Sequence, residues 1–424
     1  MKRLHLQSTL LALAVSIAWP AWADDNAHVK DLEQKLEASL KALQALQKRV
    51  DALEQKPAAP AAGEWGARLD NVERAVGQVE AASAAAAQAD TGLPIHGFVD
   101  VGLGVRNRAA AATESRGARL GVFDLYMAPQ ISSQVKGLIE LAFEYGDGIL
   151  ATDAERLQLG YVFSDSLTLW GGRFHTPYGY WNTAFHHGAQ IQTALSRPRF
   201  LAFEDGGGIL PAHSVGLWAT GGGSTGLGKF GYDLYVVNGD RISAGVLDYQ
   251  ASGDGDGNIG VGFRGSLTLA GSGLTLGLHG LTQRVNGENS ALTVTGSSKL
   301  GMLGGYATFD NDDWELMAEY YGFRNRDLGS SAGQRLTSKA WYVQAGYNLN
   351  DHFTAYARYE NSGLNAADPY FALMDSGRSY KRSVAGLRLN VTPKAALKAE
   401  WVRSTEDNVA GSPSTLSLQY SVRF

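Results

Sequence analysis

Between Tyr178 and Ser214 the chain reads "YGYWNTAFHHGAQIQTALSRPRFLAFEDGGGILPAHS", a stretch in which cations, acids, histidines and aromatics crowd together. Arg197 and Arg199 stand close to Glu204 and Asp205, with Arg173 and His175 just upstream. Tyr178, Tyr180 and Trp181 precede the adjacent pair His186 and His187, and His213 lies near the end. Opposed charges across a narrow gap orient dipolar solutes, and aromatic faces let carbohydrate rings slide. The same side chains also suit a plainer task, pinning an irregular segment to a polar surface, because such a segment needs partners for its buried polar groups. Metal binding is not expected: neighbouring residues such as His186 and His187 point apart, and no second ligand stands four residues away. Asp254 and Asp256 in "ASGDGDGNIG" lack the closing Glu of a calcium loop, and no nucleophile-elbow motif is present. No cofactor is implied.

What positions these residues must be read from the rest of the chain. Its 424 residues carry a formal charge of −5, with 52 glycines and no cysteine. Such a composition suits a β-rich protein that does without disulfides, and it offers no basic stripe for nucleic acid. Lys2 and Arg3 precede an apolar run from Leu10 to Trp19 and then "AWA" at Ala21 to Ala23, which predicts a secretory signal over 1–23. Beyond it no apolar run is long enough for a membrane helix, so any membrane crossing falls to strands.

From Val29 the apolar residues Val29, Leu36, Leu43 and Val50 recur every seven, with Leu32, Leu46 and Leu53 in the second row, which only Ser39 interrupts. That is a coiled-coil seam over 24–57, and a lone helix would leave it in water, so self-association is expected. "KPAAPAAGE" breaks the helix. A linker and second amphipathic helix over 58–94 follow, with Trp65, Leu69, Val72, Val76 and Val79 on one face.

After Pro94 the period falls to two. In "HFTAYARYE", Phe353, Ala355, Ala357 and Tyr359 oppose Thr354, Tyr356, Arg358 and Glu360, and "SLQYSVRF" at the C-terminus does the same. Sixteen such candidates run from Ile95 to Thr415, with starts that include Ala154, Lys299 and Ala340. Short connections ("SDS", "NDD", "TPK") alternate with long ones ("RNRAAAATESRGA", "RNRDLGSSAGQRLTS"), and "GGGSTGLG" is intermediate. Short turns on one rim and long loops on the other are the habit of outer-membrane barrels. Glu140, Glu144, Arg156, Arg358, Glu360, Arg388 and Glu400 fall on the polar face, which calls for water there, and a closed sheet leaves no edge to lipid. The predicted fold over 95–424 is therefore an all-β, sixteen-stranded antiparallel transmembrane β-barrel with an N-terminal α-helical coiled-coil extension. Trp314, Tyr320, Trp341, Tyr347 and Trp401 fit interfacial girdles. Within 95–424, 27 bases face 30 acids, which opposes a strong single-sign filter.

Three features carry a family resemblance. The tail ending in Phe424 resembles the closing strand of outer-membrane barrels; the longest connection follows the fifth strand, as in trimeric porins; and "GGRFHTPYG" is similar to a stretch of phosphate-selective-porin-like and coiled-coil-bearing trimeric porins. The resemblance implies a Gram-negative outer-membrane homotrimer, with the helices in the periplasm, passing small hydrophilic solutes by diffusion. It implies further that residues 178–214 fold into the lumen as a constriction bearing the charged and aromatic residues named above. A phosphate ladder of inward arginines and lysines is not seen. Two other readings remain: a structural tether whose coiled coil engages the periplasm or cell wall, favoured by a lumen without conductance, and a barrel-embedded hydrolase, which needs a clustered nucleophile, base and acid.

Overall fold

Period-two alternation sets the architecture. The computed structural model describes residues 95–106, 117–146, 149–185, 188–289, 293–329 and 333–424. The leader, the coiled coil and the second amphipathic helix expected over 1–94 lie outside the described residues. In chain order the strands are β1 (Ile95–Arg106), β2 (Gly117–Met127), β3 (Val135–Gly146), β4 (Ile149–Ser164), β5 (Leu167–His175), β6 (His213–Thr225), β7 (Gly228–Asn238), β8 (Arg241–Ser243) and β9 (Val246–Asp248). They continue as β10 (Ile259–Leu269), β11 (Leu274–Glu288), β12 (Val294–Asp310), β13 (Trp314–Asp327), β14 (Arg335–Asn348), β15 (Phe353–Gly363), β16 (Tyr380–Thr392), β17 (Ala395–Glu406) and β18 (Ser414–Arg423). Two short helices, α1 (Trp181–Ala184) and α2 (Pro369–Ala372), lie in connections.

Leaving out β8 and β9, sixteen strands form one closed antiparallel wall, since β7 pairs with β10 and β1 pairs with both β2 and β18. At the seam the Phe424 N–H donates to Gly97 O (3.1 Å) and the Gly97 N–H to Phe424 O (3.2 Å). Closure leaves the wall without an unpaired edge, which is what a sheet in hydrocarbon requires.

Polarity is inverted relative to a water-soluble domain. Leu303 and Tyr320 are 63% and 50% exposed, whereas Glu319 and Arg358 are each 2% exposed. Along β13, Trp314, Leu316, Ala318 and Tyr320 point outward and Glu315, Met317, Glu319 and Tyr321 inward. A greasy exterior around a charged interior suits lipid outside. On the outer face Trp314 packs against Tyr347 at 4.8 Å near the short-turn rim, and Trp341 against Tyr359 at 5.7 Å nearer the other rim. From Trp314 to Arg324 is ten residues on β13. At about 3.3 Å per residue and a tilt near 40°, that span rises roughly 25 Å, the height of an outer-membrane apolar band.

The sixteen expected strands are the sixteen wall strands, but β4, β12 and β14 begin at Ile149, Val294 and Arg335, ahead of the expected Ala154, Lys299 and Ala340. The added residues are mostly small or polar ("VTGSS", "RLTSK") and read as loop because their apolar alternation has faded. "GGGSTGLG" shrinks to a two-residue turn at Gly226 and Leu227. The regular alternation of short and long connections fails between β3 and β4, which only residues 147 and 148 separate. The hairpin β8–β9 was not foreseen either; it turns at Ala244 and Gly245, both with positive φ (51° and 84°), and β8 lies parallel to the end of β11.

Candidate pore constriction

β5 ends at His175 and β6 begins at His213, and the segment between them runs inside the wall. Its position follows from where its backbone groups find partners, since no sheet ladder serves them. Three wall glutamates on alternate strands receive its amides. Glu319 on β13 accepts from the N–H of Tyr180 (2.9 Å) and Trp181 (2.7 Å), and from the hydroxyls of Tyr321 and Tyr342 (both 2.7 Å). On β15, Glu360 accepts from the Arg199 N–H (2.8 Å) and the Tyr380 hydroxyl (3.0 Å). On β17, Glu400 accepts from the N–H of Leu195 (2.8 Å) and Ser196 (3.2 Å), and from the Tyr356 hydroxyl (3.0 Å).

Cations of the same wall serve the carbonyls. Arg358 donates to Ser196 O (2.9 Å) and Arg197 O (3.0 Å) while its Nε bonds Glu360 (2.8 Å). Arg388 donates to Gln192 O (2.7 Å), and Lys398 to Ala194 O (3.2 Å) and Ala189 O. Charge-assisted bonds of this kind are stronger than neutral ones, and their donors and acceptors would be costly if left alone at this depth. The inward charges on this half of the wall therefore meet protein backbone. The expectation of water around all of them fails for Arg358, Glu360, Arg388 and Glu400.

An apolar core seals the same side. Trp181 stands edge-on to Tyr342 (5.9 Å) and Phe200 to Tyr321 (5.2 Å), with Phe174, Tyr178 and Leu201 fully buried beside them. Gly179 is held at φ +61°, and a Cβ there would lie 2.1 Å from the Tyr321 hydroxyl and 2.3 Å from Glu319 Oε2. Gly179→Ala should thus disturb the Glu319 anchor and cost about 1–3 kcal/mol from the backbone conformation alone. A thermal melt in detergent, with a conductance trace alongside, checks this; an unchanged melt and trace would refute the anchor.

Two cavities remain between the loop and the inner wall. The larger, about 890 Å³, lies between Leu195, Ser196 and Arg199 of the loop and a wall that includes Asp100, Arg119 and Arg382. Arg199 reaches Glu406 at 2.6 Å and lies over the Tyr380 ring. The smaller, about 580 Å³, is bounded by β4, by the loop at Glu204 and Asp205, and by the segment from Arg241 to Gly255. Its lining is acid-rich: Glu144, Asp153, Glu155, Glu204, Asp205, Asp248 and Asp254 against Arg173, Arg241 and His213.

The residues singled out from the sequence separate into distinct places. Tyr178 and Trp181 are fully buried in the loop core and line neither cavity. Tyr180 is half-buried against Phe185 and Tyr306. Arg197 donates to Leu201 O (2.9 Å) and Asn182 Oδ1 (3.3 Å) and lies over the Phe203 ring, so it ties the loop to itself. Arg173 meets Glu155 at 3.5 Å, His175 meets Glu140 at 3.3 Å, and buried Glu204 accepts from the His213 N–H at 2.9 Å. Burial alone would raise the Glu204 pKa, but the His213 charge and its hydrogen bonds more than offset this and hold the carboxyl below its usual range. Asp205 is exposed in the smaller cavity and Arg199 partly so in the larger one. His186 and His187 lie outside the described residues. Among the described residues no cluster of three metal-ligating side chains occurs. Sequence reasoning missed Glu319, Arg119 and Arg382; inward parity on their strands was the available signal.

A closed sixteen-strand antiparallel wall with a long loop folded inside after its fifth strand is the porin type of barrel. No protein-family model and no curated protein sequence matches this chain. Among solved structures it is similar to an anion-selective porin from Comamonas acidovorans, with 12% identity, a TM-score of 0.55, and coverage of 78% of this chain and 98% of that one. It is also similar to OmpF of Salmonella typhi, solved with daunomycin (12% identity, TM-score 0.51, coverage 78% and 97%). The trimer form of OmpT, an outer membrane protein of Vibrio cholerae, superposes at 11% identity and a TM-score of 0.52 over 78% and 98% of the two chains. At such identities the likeness is one of fold.

Proposed function

We propose that this chain is an outer-membrane porin, a water-filled channel for passive diffusion of small hydrophilic solutes, with the segment 178–214 as its constriction. One observation carries the reading: the loop is fastened by its backbone to inward glutamates of β13, β15 and β17, while polar cavities remain between it and other parts of the inner wall. A soluble enzyme or a solid anchor has no use for an inverted barrel with an open, charged side. In this reading Arg199 faces solute directly, whereas Tyr178, Trp181 and Arg197 hold the loop in place. The homotrimer, the location in a Gram-negative outer membrane and a periplasmic role for residues 24–94 belong to the same proposal. The trimeric form of one structural neighbour supports the first of these, and the heptads of the N-terminal segment supply a reason for self-association.

Purified protein in planar bilayers should give ohmic current that appears and closes in groups of three steps. Detergent-solubilised protein of normal heat stability that stays silent would overturn the channel and favour the tether.

A further inference from the structure

Two side chains lining the larger cavity keep unmet hydrogen-bonding capacity, and of opposite kinds. Arg119 on β2, Gly102 on β1 and Gln419 on β18 pair in register, so a glycine separates the two long side chains and leaves a notch in the inner wall. At about 4.8 Å per strand the two outer backbones stand roughly 10 Å apart. Arg119 crosses that gap over Gly102, where a Cβ would lie 3.6 Å from its Nε, and donates to Ser417 Oγ at 3.3 Å. That is one neutral bond for a group that carries five N–H donors. Arg199 and Arg382 line the same cavity, but the first is paired with Glu406 at 2.6 Å and the second donates to Arg197 O at 3.3 Å beside Glu360. Arg119 meets no carboxylate among the described residues.

Gln419 presents the complementary need. Its Nε2 donates to Asp100 Oδ2 (2.9 Å), while Asp100 Oδ1 accepts from the Val122 N–H (3.1 Å). A carboxylate can only accept, so the amide must turn its NH2 toward Asp100 and its carbonyl oxygen away. Gln419 is 9% exposed, yet its Oε1 has no hydrogen-bond partner among the described residues. A buried acceptor in this position calls for a donor from whatever fills the cavity. The nearby carboxylates of Asp100 and Glu400 already accept from N–H groups, and Lys398, in register with Gln419 on β17, adds positive charge, which lessens their repulsion of an anion. We infer that the notch between Arg119 and Gln419 is a subsite for a sugar acid, its carboxylate on the Arg119 guanidinium and a neighbouring hydroxyl donating to Gln419 Oε1. The inference deepens the channel reading given above and rests on it. A plain carboxylate or an inorganic anion answers the arginine alone, and a neutral sugar the amide alone, whereas a hydroxylated acid answers both. A cavity of about 890 Å³ is ample for one such molecule.

Calorimetric titration of the full chain in uncharged detergent tests this with four solutes: glucuronate, glucose, cyclohexanecarboxylate and inorganic phosphate. Wild type is compared with Arg119→Gln, with Gln419→Met, and with the control Lys136→Gln, which removes an exposed cation of β3 outside the cavity. Wild type and control should bind glucuronate about tenfold or more tighter than each of the other three. Arg119→Gln should lose about tenfold or more of that affinity and still melt as wild type does, because its bond to the protein is a long one to a hydroxyl. Gln419→Met should keep cyclohexanecarboxylate binding while losing the preference for glucuronate, a split that general misfolding does not produce. Glucose, cyclohexanecarboxylate or phosphate binding as tightly as glucuronate, or undiminished glucuronate binding by Arg119→Gln, would each overturn the inference. Bilayer conductance of wild type keeps the two claims apart: salt current without a glucuronate preference sinks the subsite alone, and the preference without current sinks the channel alone.

Discussion

Replacing Glu319, Glu360 and Glu400 together with alanine should free the inserted loop and raise single-channel conductance roughly two- to threefold, as a wider pore requires. The three carboxylates take five amides of the segment and four tyrosine hydroxyls, yet none belongs to the hydrogen-bond ladder of the wall through its side chain. Each buried amide left without a partner costs about 1–3 kcal/mol, enough to detach a segment that has no sheet of its own. The barrel should persist, because its strands pair independently of these groups. Glutamine at the same positions keeps an acceptor oxygen and should give a much smaller change. Bilayer recording, with liposome swelling in sugars of increasing size, measures the outcome. Unchanged conductance and an unchanged size cut-off in the triple alanine variant would show that the loop does not set the bore.

Ion preference should respond as strongly. The mouth formed by the smaller cavity is acid-rich, with Asp153, Asp205 and Asp254 all exposed. Cations should therefore outnumber anions in the current at low salt, and the preference should shrink as the Debye length falls from about 10 Å at 0.1 M to about 3 Å at 1 M. Asp153→Asn/Asp205→Asn/Asp254→Asn should lower the cation-to-anion permeability ratio several-fold, and Arg199→Ala should raise it. Reversal potentials in a salt gradient decide the matter. An anion preference in wild type would refute the acidic mouth, whatever the near balance of bases and acids in the whole domain.

Strand number and closure were legible because a strand with lipid on one side repeats its signal at every second residue, as Phe353, Ala355, Ala357 and Tyr359 do. The signal weakens where strands leave the lipid, which is why the small and polar residues ahead of Lys299 and Ala340 read as loop. β8 and β9 are three residues each and turn through Ala244 rather than the usual Asn or Gly, so no local pattern marked them. Within the loop, composition identified the segment but not the direction of each side chain. Tyr178 and Arg199 look equally fit to meet a solute, and only the partners supplied by distant strands separate them. The anchoring glutamates were harder still. A carboxylate at an inward position reads as water-facing, and whether it meets water or a peptide N–H depends on residues 138 or more positions away.

Those anchors recognise main chain. Glu319, Glu360 and Glu400 touch peptide groups that every amino acid except proline supplies, so they hold the inserted segment without regard to most of its side chains. Residues that face the opening, Arg199 and Asp205 among them, can thus be exchanged while the scaffold beneath stays put. If the barrel conducts as proposed, permeation would be retunable by substitution at the tip of a fixed tether, which would make this barrel a convenient frame for engineered nanopores.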